Sequence, residues 1–113
     1  MKMLTVKDLL GEDARALTGD AGLDNAIKDG YTCDLLSWVM SPGHEGTAWV
    51  TVQRNLNVVA VATLIDCACI VLAENVLTET DFLDKAKQEG IAVLSTPLTA
   101  YQFCAKLAAF LKE

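Results

Sequence analysis

The sequence predicts an α/β fold: a single compact domain with a mainly parallel sheet flanked by helices. Two observations carry this expectation. From Thr47 to Leu111, apolar runs rich in β-branched residues alternate with capped helical segments in the order strand, helix, strand, helix, strand, helix, the rhythm of βαβ units. The chain has 113 residues, 52% of them apolar. That suits one domain spanning residues 1–113, which would bury roughly two-thirds of its unfolded surface without disulfide or metal staples.

Thr5-Val6-Lys7-Asp8-Leu9-Leu10-Gly11 opens with a hydroxyl cap, has an acid in its first turn and stops at glycine, so one or two helical turns fit there. Ala14 to Thr18 reads as a brief strand closed by the Gly19-Asp20-Ala21-Gly22 turn. Ile27 to Thr32 fits a strand or a loop equally, because Gly30 interrupts it. Asp34 can cap Leu35 to Met40, whose apolar residues surround the axis; the expectation is a short, mostly buried helix ended by Pro42-Gly43.

Thr47 to Gln53 is rich in β-branched and aromatic residues and reads as a strand. Val58 to Ile65 fits helix or strand by propensity; Asn55 and Asn57 before it are good caps, and its place between two strands favours helix. Ala68 to Ala73 is the next strand. Thr78 to Glu89 places Phe82, Leu83 and Ala86 on one face, with Gly90 as its stop. Ile91 to Thr96 is a strand ended by Pro97, and Thr99 caps a last helix through Leu111.

A formal net charge of −6 argues against nucleic acid and anionic membranes, because those partners are held by neutralising their phosphates. No basic leader with an apolar core and a small-residue cleavage site is present, so a cytoplasmic location is expected. Val58 to Ala73, the longest strongly apolar stretch, is interrupted by Thr63 and Asp66 and is shorter than the ~20 residues that span a bilayer. Cys33, Cys67, Cys69 and Cys104 lack paired CxxC spacing, so buried thiols are expected rather than a metal site.

Neither GxxxxGK[ST] nor GxGxxG occurs, which leaves no phosphate-cradling loop of the usual kinds. His44, the single histidine, sits in a Gly-rich turn with no nucleophile near it in sequence, so a solvated imidazole is expected. Cys67 and Cys69 would share a face if both lay on a strand, yet two further ligands would be needed for a metal. Trp38 and Trp49 are expected in the core. The polar set Thr51, Gln53, Asn55 and Asn57 occupies a strand end and the following helix start, where α/β sheets hold ligands; capping alone explains it as well. No cofactor and no catalytic residue is assigned.

Gly30-Tyr31-Thr32-Cys33-Asp34-Leu35-Leu36-Ser37-Trp38-Val39-Met40, Trp49-Val50-Thr51-Val52-Gln53 and Asn57-Val58-Val59-Ala60-Val61-Ala62 together resemble the DRTGG domain. That domain occurs in HPr kinase/phosphorylase-like proteins as their N-terminal part, inside CBS-domain pyrophosphatases, beside phosphate acetyltransferases, and alone. Glu89-Gly90-Ile91 and Ser95-Thr96-Pro97-Leu98 fit its closing pattern. Where the name-giving tract would end in a threonine and two glycines, this chain has Lys28-Asp29-Gly30.

The resemblance implies an α/β domain that dimerises and acts as a regulatory or interaction module, not as a kinase. The expectation is therefore a non-catalytic ligand-sensing homodimer. It would bind an adenine nucleotide or other small anionic phosphometabolite near Gly30, Tyr31, Thr32 and Asp34 and along the crevice of Thr51, Gln53, Asn55 and Asn57. The alternative is a ligand-free accessory subunit docking on a larger redox enzyme of the iron-hydrogenase type, or on a metabolic enzyme.

Overall fold

In the computed structural model, which describes residues 3–112, the apolar runs become the centre of one five-stranded sheet. A 3-10 turn, Val6–Leu9, leads to β1 (Arg15–Ala16) and β2 (Asp29–Thr32). Then come α1 (Leu36–Val39), β3 (Thr47–Thr51), α2 (Leu56–Leu64) and β4 (Cys69–Leu72). The chain closes with α3 (Thr80–Gln88), β5 (Ala92–Ser95) and α4 (Ala100–Leu111). The strand order is β1-β5-β4-β3-β2; β2 to β5 run parallel and β1 pairs antiparallel with β5. Among the described residues no helix is long and apolar enough to cross a membrane.

Every residue of β3, β4 and β5 is buried, because a parallel strand inside such a sheet is covered on both faces. Alternate side chains enter two separate cores. Ala48, Val50, Cys69, Val71, Ala92 and Leu94 meet Val6, Leu9, Phe103 and Leu107 on one side. Trp49, Ile70, Leu72 and Val93 meet Val39, Val58, Val59, Ala62, Phe82 and Ala86 on the other. Thus α4 and the N-terminal turn cover one face, and α1, α2 and α3 cover the other.

The caps explain the helix starts. Asn55 Oδ1 accepts the Asn57 backbone N–H at 2.8 Å, so Asn55 is the cap and Asn57 lies within the first turn of α2. Thr99 and Gln102 form a reciprocal box at the start of α4, with bonds of 3.0 and 3.1 Å. Gly90, with φ of +69°, follows α3 in the left-handed conformation that glycine adopts without penalty.

The helical turn expected after Thr5 is present, in 3-10 form, with the Thr5 N–H donating to the Asp8 carboxylate as a capping pair. Several expectations are corrected. The strand expected over Ala14–Thr18 pairs regularly only at Arg15–Ala16; Thr18 turns its buried hydroxyl to accept the Val93 N–H at 3.0 Å. Of Ile27–Thr32, where sequence leaves strand and loop equally open, Asp29–Thr32 forms the edge strand β2 and Ile27-Lys28 is the loop before it. Asp34 does not cap α1: Leu35 stands at the cap, and the helix is one turn long. That turn is not mostly buried, since Val39 is buried while Leu35, Trp38 and Met40 are exposed. Trp49 is in the core, but Trp38 is on the surface. Cys67 and Cys69 lie in opposite cores, because strand pairing begins at Cys69 and Cys67 still belongs to the turn before it.

Candidate functional site

Parallel strands followed by helices bring the helix N-termini to the carboxyl edge of the sheet, where α/β domains bind ligands. Here that edge is formed by the ends of β2 and β3 and by the loop after β4. The residues expected at the site split into three groups. Gly30, on β2, faces α4: a Cβ there would stand 2.5 Å from Leu107 Cδ2, so the glycine serves close packing of helix on strand. Tyr31 packs against the opposite core. Thr32 donates its hydroxyl to the Val50 carbonyl at 2.8 Å, across the β2–β3 pair.

Asp34 and Thr51 are brought together. Asp34 Oδ1 accepts the Thr51 hydroxyl at 2.7 Å and the Val52 N–H at 3.0 Å, and Thr51 Oγ1 accepts the Gln53 N–H at 3.1 Å. With the Trp49 indole N–H donating to the Cys33 carbonyl at 2.9 Å, these bonds fasten the β2–α1 turn to the end of β3. Asp34 is thereby a structural clasp, with its shared oxygen already occupied.

Beyond Thr51 the carboxyl edge opens into a cleft of about 630 Å³ between the starts of α2 and α3. Arg54, Asn55 and Leu56 form one wall; Leu77, Thr78, Glu79 and Asp81 form the other; Phe82 lies at the base. Of the eight residues expected at the site, Asn55 is the one that lines this cleft. Arg54 Nη1 donates to the Leu77 carbonyl at 2.8 Å, bridging the two walls and holding a guanidinium beside the α2 N-terminus. The first turn of α2 contains no acidic residue, whereas α3 has Asp81 in its own. The far wall is set by left-handed backbone at Glu74 and Asn75, held by N–H bonds of 2.9 Å to the Leu98 and Thr96 carbonyls. Thr78 Oγ1 is buried without a hydrogen-bond partner.

Sequence reading missed Arg54, Thr78, Glu79 and Asp81 as site residues. Arg54 was flanked by two expected residues, and the Gln53-Arg54-Asn55 run before a helix start was the available signal. Nothing in sequence signals that the loop before α3 approaches it.

The amino edge is different. Lys28 Nζ pairs with Glu45 Oε1 at 2.6 Å, which holds the Glu45 carboxyl below its ordinary range. His44 bonds the Glu45 carbonyl at 3.0 Å through Nδ1 and Asp29 Oδ2 at 3.1 Å through Nε2. The carbonyl bond chiefly, then the Asp29 bond, raises the His44 pKa, because both ring nitrogens can donate only in the imidazolium. The thiols carry no comparable chemistry: burial chiefly, then the charge of Asp66, pushes Cys67 up to about 12, and burial raises Cys69 and Cys104. Among the described residues no cluster of three or more histidine, cysteine or carboxylate side chains is arranged to hold a metal.

No protein-family model matches the chain, and no curated protein matches it. Solved structures do match in fold. One is the crystal structure of the CBS and DRTGG domains of the regulatory region of Clostridium perfringens pyrophosphatase, complexed with the activator diadenosine tetraphosphate. It shares 12% identity at a TM-score of 0.58, over 67% of this chain and 33% of that one. The likeness places the fold beside that of a regulatory region, and this chain matches only about a third of that structure's length.

Proposed function

We propose that this chain is a non-catalytic regulatory module that senses an adenine nucleotide or related phosphometabolite as a homodimer, with the ligand held in the cleft between the α2 and α3 N-termini. The observation that carries this reading is the pairing of the Arg54 guanidinium with an acid-free helix start on one wall of a cleft of about 630 Å³. Pockets for small ligands have volumes of roughly 300–1,000 Å³, and a helix N-terminus with an arginine is suited to a phosphate. Glu79 and Asp81 across the cleft repel a bare anion but accept from ribose hydroxyls or an adenine amino group. The apolar surfaces of Leu56 and Leu77 suit a base. The two walls together thus favour a nucleotide over inorganic phosphate. The Thr78 hydroxyl, buried at this wall without a partner, is the kind of unsatisfied group that small side-chain shifts on binding would pair.

The fold likeness to a regulatory region complexed with diadenosine tetraphosphate supports testing that compound first. The experiment is thermal shift followed by calorimetry with AMP, ADP, ATP, diadenosine tetraphosphate and inorganic phosphate. A ligand at 100 times its dissociation constant adds about 2.7 kcal/mol, a midpoint rise of roughly 10 °C for a domain of this size. Arg54→Ala should abolish the rise while shifting the ligand-free midpoint by only about 2 °C, since its bond to Leu77 is exposed. A flat response to every nucleotide would refute the sensor reading and favour the accessory subunit that docks on a larger redox or metabolic enzyme.

A further inference from the structure

We propose that the outer face formed by α1 and α2 is where two copies of this chain associate, an inference that rests on the homodimer reading above and gives it a surface. The helices pack side by side on one face of the sheet. Five large apolar residues on or beside these helices are exposed, among the smaller or polar Ser37, Asn57, Ala60 and Thr63: Leu35 is 61% exposed, Trp38 62%, Met40 47%, Leu56 49% and Leu64 66%. A tryptophan and a methionine left open beside three leucines is the composition of an interface centre. At these exposures the five side chains offer on the order of 500 Å² per copy, the size of the largest apolar patch on a typical domain, which is roughly 300–600 Å² and often functional. A two-fold pairing would therefore bury about 1,000 Å², the lower bound for a specific interface.

Charge selects the occupant. Residues 35–43 and 55–65 contain no charged side chain, although 21% of the chain is charged and its net charge is −6. Two copies of an acidic protein repel wherever acidic faces meet, and a face free of charge is where they can approach each other without that cost. Asp34, next to the patch in sequence, has its carboxylate bonded back to Thr51 and Val52. A basic partner would gain nothing electrostatic from this face, and an anionic bilayer would find no lysine or arginine on it. The isologous arrangement sets Trp38 of each copy against the apolar residues of the other.

The test is sedimentation velocity on the full chain from micromolar to submillimolar concentration, with Trp38→Glu on α1, Leu64→Glu on α2 and Tyr101→Glu on the opposite face. Wild type and Tyr101→Glu should sediment at twice the 12.1 kDa chain mass. Trp38→Glu and Leu64→Glu should each sediment at the chain mass with an unchanged circular dichroism spectrum. Two substitutions on separate helices keep the test decisive if one fails to fold. A wild type that stays monomeric overturns the proposal, whether it then adheres to phosphatidylcholine vesicles, binds a different protein or does neither. A dimer that survives both glutamates, or is lost in Tyr101→Glu, overturns it as well. Calorimetry with the nucleotides on the same monomeric variants separates the readings: retained binding with a failed dimer leaves the sensor reading standing, and a dimer without binding does the reverse.

Discussion

Asp34→Ala should destabilise the domain without weakening ligand binding, because the structure gives this carboxylate a fastening role. It accepts the Thr51 hydroxyl at 2.7 Å and the Val52 N–H at 3.0 Å. The Val52 N–H lies in an exposed loop, so water replaces the carboxylate and the loss there is small. The Thr51 side chain is buried and keeps the Gln53 N–H as donor, but its own proton loses its acceptor. A buried polar group left unsatisfied costs about 1–3 kcal/mol. The expected loss is therefore about 2 kcal/mol, a fall of roughly 10 °C in midpoint for this size of domain. Urea unfolding of Asp34→Ala, Thr51→Val and the double variant measures it, and the cycle should return a coupling of about 1 kcal/mol. A loss below about 0.5 kcal/mol, or a cycle that is additive, would refute the clasp.

Three further outcomes are expected. Gly30→Ala should cost about 1–3 kcal/mol by chemical denaturation, since its Cβ would overlap the buried Leu107 side chain at 2.5 Å; unchanged stability would show that α4 can move away. Ellman's reagent at pH 8 should label Cys33 and Cys104 well before Cys67 and Cys69 in the folded protein. A thiol with a pKa of about 12 is thiolate in about one part in 10,000 at that pH, so rapid labelling of Cys67 would contradict the packing. The His44 imidazole should titrate by NMR above its ordinary 6.5. Because its folded pKa is raised, the His44 contacts contribute fully below 6.5 and are lost as pH rises through the folded value. Asp29→Asn should bring the midpoint part of the way back, leaving the larger contribution of the Glu45 carbonyl.

The central fold was legible where burial on both faces imposes a strong pattern. Thr47–Thr51, Cys69–Leu72 and Ala92–Ser95 are β-branched apolar runs separated by cappable segments, and order along the chain settled the ambiguity of Val58–Ile65. The margins were less legible for a physical reason. Edge strands such as Arg15–Ala16 and Asp29–Thr32 have little apolar pattern, since one side of each has no neighbouring strand. Leu35, Trp38 and Met40 are chemically the same as core residues, and sequence does not separate an apolar residue that packs inward from one left for a partner. Asp34 precedes a helix and so looks like a cap, but its acceptor capacity went to Thr51, seventeen residues away in sequence. The cleft was half legible: Asn55 was found from its capping chemistry, while the opposing wall depends on how Glu74 and Asn75 turn the loop after β4.

The two ends of the parallel sheet are prepared for different tasks by what closes each. At the amino end, Asn25 Nδ2 spans the Ala68 and Gly90 carbonyls at 3.1 and 3.2 Å, and the Lys28–Glu45 and His44–Asp29 pairs tie neighbouring loops together. The hollow there, about 320 Å³, is lined by Glu45, Asp66 and Glu89 against Lys28 alone, and Lys28 is already paired. At the carboxyl end two helices begin, their N-terminal dipoles converge on one cleft, and the cation present, Arg54, spends one donor on Leu77 out of the five that a guanidinium carries. Both hollows are net acidic, since Glu79 and Asp81 face Arg54 in the cleft; what distinguishes the carboxyl end is the acid-free start of α2 beside a guanidinium with donors to spare. The apolar α1–α2 face adjoins that same end through Leu56, which lines the cleft and belongs to the exposed patch. Under the two proposals, a ligand that reorders the start of α2 would act directly on the surface proposed to join two copies, so that occupancy of the cleft and assembly would be coupled.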